Sequence, residues 1–438
     1  MRYVNKIYLS VIIFLLMVLP ISAQTEPPNP DSLSCYSAVL IEPESGEILY
    51  EKNGDKKIYP ASTTKVVTAL LALENLDLDK SITVPQDFPY VDGSSMYLLP
   101  GETFTVREYL EALLVHSAND AAYLLGLEMS GGDINKYIDM MNETVAKLGC
   151  TNTHFVNPHG LHDDNHYSTA RDMARIACDA MKIEEFRRIV KMPGISLHET
   201  AQTPEKRSYY STNRFLWSNS KIIYKDQYIP IKYDIIEGVK TGYTLEAGNC
   251  LISSAYKDGV RFICAVYKAS GFEMYKDSRI ILDYGFDNYE TKKILAKGES
   301  IGKKDISFSI QKSLDYAIDT DVYQVIKKGS KLSYEKNTTI DKIKLPIKKG
   351  QKIGTIIIKI GDKQTSYDVV ALNDVESIFT LTFVKQVLRH LPDYLTLKNI
   401  VIAVVTLIIL LAIIAKIRRD RRRRRRRRYR KSSSSRLS

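Results

Sequence analysis

The chain has 438 residues, 44% hydrophobic and 26% charged, with 62 Lys and Arg against 51 Asp and Glu. That length admits two or three domains, and that composition a mainly soluble, globular chain. The formal net charge of +11 does not mark a basic body. Residues 416–438 hold 14 Lys and Arg and one Asp, a net +13, so the other 415 residues carry −2 and offer no basic domain for nucleic acid.

Residues 1–23 read as a secretory signal peptide. Arg2 and Lys6 charge its start, 7–19 is almost wholly apolar, and Ile21-Ser22-Ala23 offers small residues for cleavage before Gln24. An uncleaved anchor is the alternative, and Cys35 lies too far along the chain for a lipoprotein. Strand-like runs follow at 36–41 and 48–50, parted by the turn cluster Glu42-Pro43-Glu44-Ser45-Gly46. From Ser62 the pattern turns helical, with Val66, Ala69, Leu70, Leu73 and Leu76 at spacings of three and four. Two more helical stretches, 105–115 and 120–128, are broken by His116-Ser117-Ala118-Asn119. Strands are expected at 250–256 and 260–267, joined by Lys257-Asp258-Gly259, then a helix over 274–284. This order predicts an α/β (α+β) domain over 30–290, with helices packed on an antiparallel sheet. The hairpin brings Cys250 and Cys264 near each other. Five cysteines without CxxC or metal-ligand spacing give no reason to expect a disulfide or a metal site.

Beyond about residue 288 the texture changes to lysine-rich strands at 306–310, 322–326, 343–345, 354–360 and 366–370, a small all-β domain over 291–376 that serves as a spacer. Residues 377–396 read as an amphipathic interfacial helix, with Phe379, Leu381, Phe383, Val387 and Leu391 among Lys385, Arg389 and His390. The run 397–416 is apolar enough for a transmembrane helix. The basic tail, 417–438 with its arginines 421–428, is then expected in the cytoplasm beside anionic lipid, and everything before the span outside.

Three short motifs carry candidate chemistry. Ser62-Thr63-Thr64-Lys65 follows a turn and opens a helix, so serine and lysine share one face. A serine nucleophile needs such an amine to take its proton, with its pKa lowered by burial or nearby cations, and N–H donors for an oxyanion. Ser117-Ala118-Asn119 adds a hydroxyl and an amide at a helix break, where a helix cap would also place them. Lys240-Thr241-Gly242 precedes the strand pair and offers an edge that an extended peptide can approach. Each motif alone is weak.

In the order S-x-x-K, S-x-N, K-T-G they form the set shared by class A β-lactamases and penicillin-binding proteins. The chain resembles the D-alanyl-D-alanine carboxypeptidase family of low-molecular-mass penicillin-binding proteins, in which S-A-N is a familiar middle motif. Tyr59-Pro60-Ala61, His116 to Ala121, Asn157-Pro158-His159-Gly160-Leu161 and Gly238 to Thr244 with Ala247-Gly248 extend the likeness, which runs from about residue 34 to 374. The resemblance implies a penicillin-binding, β-lactamase-like transpeptidase domain, a small all-β C-terminal domain and a C-terminal transmembrane helix. It implies a membrane-bound, extracytoplasmic serine enzyme acting on peptidoglycan stem peptides, inhibited by β-lactams and using no cofactor. Ser62 would be the nucleophile, Lys65 its base and Ser117 a proton relay. Asn119, Lys240, Thr241 and Gly242 would hold the substrate. Tyr243 would join Ser62 in lending a backbone N–H to the oxyanion.

One departure stands out. An arginine that binds the terminal carboxylate in this family corresponds to Met274 here, with Lys276 and Lys268 as possible substitutes. Two other readings compete. A class A β-lactamase would need a deacylating glutamate after S-x-N, and none is found. A membrane-bound penicillin sensor would acylate without turnover. His116 and His159 read as loop or packing residues, and Asp163, Asp164 and His166 as a polar loop.

Overall fold

The structure, a computed structural model, describes residues 25–360, 363–379 and 397–434. The expected signal peptide and residues 380–396 of the expected interfacial helix lie outside the described residues. The described residues form two compact units, one running up to Ile294 with Tyr323–Leu332, the other Leu295–Val322 with the described residues from Ser333 onward.

The first unit is built on five strands: β1 (Ser37–Glu42), β2 (Glu47–Lys52), β3 (Ile236–Thr244), β4 (Gly248–Lys257) and β5 (Val260–Ala269). They form one sheet in the order β2-β1-β5-β4-β3, antiparallel throughout. Chain ends far apart in sequence thus meet in its centre, and β3 is left as an edge. Every residue of β1 is buried, because both faces of the sheet are covered. Val39, Ile41, Cys250, Ile252, Ala265 and Tyr267 face a helical core that includes Lys65–Asn75 and Ala170–Ala180. Leu40, Leu251, Phe262, Cys264 and Val266 face the helix Glu273–Asn288.

That alternation corrects one expectation. The Asp258-Gly259 turn does join β4 to β5, with both residues at positive φ. Cys250 and Cys264, however, fall on opposite faces of the sheet, since side chains alternate with period two. All five cysteines are free and buried.

The helix expected from Ser62 begins later, at Lys65, after a tight 3-10 turn over Ala61–Thr64. Val106–Glu111 opens on a reciprocal Thr105–Glu108 cap and unwinds through a wider turn, Ala112–His116. The chain breaks at Ser117 in the left-handed region (φ 72°) and resumes as the helix Asn119–Ser130. Three helices were not anticipated: Ile134–Lys147, Ala170–Ala180 and Glu184–Val190.

In the second unit, β6 (Ser300–Asp305), β7 (Ser313–Ile318), β8 (Glu335–Ile340), β9 (Lys352–Ile360) and β10 (Lys363–Ala371) form a sheet ordered β6-β7-β10-β9-β8. Two expected strands are absent here, and a third is present but paired elsewhere. Residues 306–310, despite perfect apolar alternation, form a turn in which Phe308 has a positive φ. Residues 343–345 are not a strand. Val322–Lys327 is a strand but pairs with Tyr289–Leu295, so its segment groups with the first unit. After the described residues resume, one helix runs from Leu397 to Ser434. Its portion Lys398–Arg419, 22 residues whose most apolar 18-residue stretch has a mean hydropathy of 3.1, has the length and apolarity to cross a bilayer. The helix continues past residue 416 into the basic tail rather than ending there.

Candidate active site

The three motifs meet along edge strand β3. Lys65 sits in the first turn of its helix, wholly buried, with its Nζ 2.8 Å from Ser62 Oγ, 2.6 Å from Asn119 Oδ1 and 2.8 Å from the His159 carbonyl oxygen. Ser62 itself stays partly open to solvent. Burial, and secondarily the charge of Lys240, holds the Lys65 amine well below its usual pKa, against a smaller opposing pull from Asp120. Lys240 is also buried, and burial lowers it to about 7. Its ammonium donates to the Thr241 carbonyl at 3.0 Å.

The seat of Ser62 is fixed by its neighbours. Ala61 is left-handed (φ 47°). Thr63 Oγ1 donates to the Pro60 carbonyl and lies 3.1 Å from the Tyr267 hydroxyl, and Thr64 Oγ1 is 2.8 Å from His166 Nε2. Gly242 lets β3 come close: a Cβ there would lie 3.0 Å from the Ser62 amide nitrogen and 3.1 Å from the Pro60 carbonyl. Gly160 is tighter still, since its Cβ would stand 1.9 Å from the Ala61 carbonyl. Its glycine is what permits the 157–161 loop to put the His159 carbonyl on Lys65.

Ser117 does not cap the next helix. It is buried, two residues from Asn119, and its hydroxyl has no hydrogen-bond partner among the described residues. Asn119 spans the cleft wall, taking Lys65 on its oxygen and donating from Nδ2 to the Asp92 carbonyl at 2.5 Å. Tyr243 is 60% exposed, with its side chain at the cleft rim. His116 stacks on Tyr209 (centroids 3.8 Å apart) and contacts the Ser95 carbonyl, a packing role. His159 and His166 are buried neutral, both pushed down to about 3 mainly by burial. Among the described residues no group of three or more His, Cys, Asp and Glu is arranged to hold a metal.

Met274 is buried in the first turn of its helix. The two lysines weighed as its substitute have other neighbours. Lys276 pairs with Glu273, and Lys268 lies 5.9 Å from the Tyr36 ring. The structure instead offers a group the sequence did not single out. Thr212 Oγ1 accepts a 2.7 Å hydrogen bond from Thr241 Oγ1, and two residues on, the Arg214 guanidinium lies 4.5 Å from the Phe272 ring centroid. Tyr275 fixes this turn, its hydroxyl accepting from the Arg214 amide and donating to the Thr212 carbonyl. Among the described residues no carboxylate pairs with Arg214. Asp120, adjacent to the S-x-N motif, was also missed. It is buried and accepts from Ser95 Oγ and the amides of Met96 and Leu98, tying that loop to the cleft.

A serine hydroxyl held against a desolvated amine, beside an open strand edge, defines a serine hydrolase that forms an ester with its substrate. The D-alanyl-D-alanine carboxypeptidase family model matches residues 23–271, and the model for the C-terminal domain of penicillin-binding protein 5 matches 289–377. The chain belongs to the D-alanyl-D-alanine carboxypeptidase family. The carboxypeptidase DacF of Bacillus subtilis is 33% identical over 360 residues, covering 80% of this chain and 88% of that one. DacA of Escherichia coli K12 is 28% identical over 359 residues, 78% of this chain and 84% of that one. The solved structure of penicillin binding protein 5 from Haemophilus influenzae matches with a TM-score of 0.61 at 28% identity, covering 81% of this chain and all of that one. The chain is thus a serine-type D-Ala-D-Ala carboxypeptidase with a C-terminal all-β domain, of a family that acts on peptidoglycan peptides and binds β-lactams.

Proposed function

We propose that the chain removes the terminal D-alanine of peptidoglycan stem pentapeptides through an ester on Ser62, and that β-lactams acylate the same hydroxyl. The observation that carries this is the set of contacts at Lys65. A neutral amine has two N–H donors and one lone pair. Asn119 Oδ1 and the His159 carbonyl oxygen, which can only accept, occupy the two donors. The lone pair is left facing Ser62 Oγ at 2.8 Å, ready to take its proton.

Attack on the penultimate D-Ala carbonyl then moves the Ser62 proton to Lys65, and the oxyanion is received by the backbone N–H groups of Ser62 and Tyr243. Protonated Lys65 returns the proton, by way of the Ser117 hydroxyl, to the departing D-alanine amine. Water attacks the ester with Lys65 again as base, and Ser62 is regenerated. Asn119 orients the substrate amide, and Lys240 and Thr241 bind the chain along β3, whose edge accepts it as an added strand. The free carboxylate lies at Thr241 and Thr212, with Arg214 supplying the cation that Met274 does not.

We also propose a single-pass topology in which 30–290 and 291–376 lie outside the cell membrane, the latter as a spacer, with the tail after the Lys398–Arg419 span inside. The basic tail following that span supports it.

The test is to incubate the full-length protein in detergent with a pentapeptide ending in D-Ala-D-Ala and, separately, with penicillin. Release of D-alanine together with a long-lived penicilloyl adduct is expected. Rapid penicillin hydrolysis, or an adduct without D-alanine release, would refute the proposal.

A further inference from the structure

The turn between β6 and β7 is built in an unusual way. Its sequence, Ile306-Ser307-Phe308-Ser309-Ile310, alternates as a half-buried strand would, yet Phe308 and Lys312 both sit in the left-handed region (φ 59° and 60°), and Phe308 and Ile310 are exposed. Phe308 is 67% exposed and Phe379 is 74% exposed, with ring centroids 6.0 Å apart. Ile310 is exposed beside them. A left-handed backbone is costly for a bulky residue, and turns that need one normally place Gly, Asn or Asp there. The turn is also tied to the segment carrying Phe379: the Ile310 amide donates to the Glu376 carbonyl, the Ile378 amide to the Phe308 carbonyl, and Ser309 bridges Ser377.

Within this unit the strand register fixes where that patch lies. The first residues of β6 and β8 and the last of β7 are at one end of the sheet, with the β9–β10 connection. The 306–312 turn, the 347–351 turn and the exit after Ala371 are at the other. The described chain of the β domain ends at that second end, at Phe379, and in sequence the next described element is the apolar helix that begins at Leu397. Exposed Lys312, Lys348 and Lys349 surround the exit; of the acidic side chains at this end, Asp374 is engaged by the Lys349 amide, and Asp305, Asp341 and Glu376 are the others.

Aromatic side chains flanked by lysines are the combination that settles in the headgroup layer of a bilayer: the rings enter the boundary with the acyl chains and the ammonium groups meet lipid phosphate. We infer that Phe308, Ile310 and Phe379 form a membrane-facing tip, by which this end of the β domain rests in the headgroup layer of the leaflet its own transmembrane helix enters. The inference builds on the membrane anchoring proposed above. It assigns the β domain a contact with lipid beyond the tether: the spacer stands on the membrane through a fixed foot.

The full-length protein, reconstituted in phosphatidylglycerol–phosphatidylethanolamine vesicles, tests this with an environment-sensitive fluorophore on Ser307→Cys and nitroxide-bearing lipid as quencher. The five native cysteines are buried and stay unlabelled. Lys336→Cys, exposed at the opposite end of the sheet, is the reference, and Thr406→Cys in the apolar helix reports anchoring. Quenching at 307 and 406 several-fold above that at 336 is expected, and Phe308→Ser in the Ser307→Cys protein should bring the signal down to the reference level. If 406 is quenched and 307 matches 336, the tip makes no lipid contact and the inference is overturned while anchoring stands. If 406 is also unquenched, the anchoring itself fails and the inference with it. Equal quenching at 307 and 336 would overturn a contact specific to this end.

Discussion

Substituting Asn119→Asp turns the neutral acceptor on Lys65 into an anion with almost no change in shape. The new carboxylate oxygen would stand 2.6 Å from Nζ, where a unit charge pair at an effective dielectric near 20 is worth about 6 kcal/mol before the cost of desolvating the carboxylate. After that cost, a close opposite charge typically raises an amine's pKa by about 1–3 pH units. Lys65 must be neutral to accept the serine proton, so rates rise with pH through its pKa, and the substitution moves this acidic limb upward. At a pH on the limb, acylation should slow by about 10- to 1000-fold, one power of ten per pH unit. The Asn119 Nδ2 contact to the Asp92 carbonyl is lost as well, but that lowers the rate at every pH without displacing the limb. Stopped-flow acylation by a fluorescent penicillin from acid to alkaline pH separates the two effects. A variant with a reduced plateau and an unmoved limb would refute the claim that Lys65 is the titrating base.

Arg214→Ala should raise KM for a D-Ala-D-Ala peptide by about tenfold, the low end for a partly exposed charge-assisted hydrogen bond. KM for the C-terminally amidated peptide should stay unchanged. Gly242→Ala places a methyl 3.0 Å from the Ser62 amide and should slow acylation by roughly 10- to 100-fold, measured against an unchanged circular dichroism spectrum. Lys240→Met should abolish peptide turnover yet stabilise the fold. With the folded-state pKa pushed from 10.5 down to about 7, both folded and unfolded states hold the proton below about pH 7, so the full cost, on the order of 5 kcal/mol, applies there. It is relieved as pH climbs from about 7 toward 10.5, so wild-type Tm should rise across that window and the variant's should rise less.

The parts of this molecule legible in the sequence are those with strong local signals. β1, β4, β5 and the Asp258-Gly259 turn announce themselves by apolar runs and turn chemistry, and Ser62, Lys65, Asn119 and Lys240 by their motifs. What lay outside the motifs was decided by tertiary contact. Thr212 and Arg214 belong to an unremarkable turn, and only the pairing of Thr212 with Thr241 and the hydroxyl of Tyr275 bring it to the cleft. The His159 carbonyl has no side-chain signature at all, and the sole local hint is the glycine after it, demanded by the approach to Ala61. The helix Ala170–Ala180 escaped because alanines dilute its apolar face. In the β domain, periodicity misled at 306–310: alternation usually means one buried face, and here it serves an exposed turn. Val322–Lys327 reads correctly as a strand, but no local pattern says which partner it takes.

The most direct measurement is peptide mapping of the full-length protein after penicillin treatment, read by mass spectrometry alongside Ser62→Ala and Lys65→Arg. The account predicts a single penicilloyl group on Ser62, none in Ser62→Ala, and severely slowed labelling in Lys65→Arg, whose guanidinium cannot accept a proton. An adduct on any other residue, or labelling of Lys65→Arg at the native rate, would contradict it.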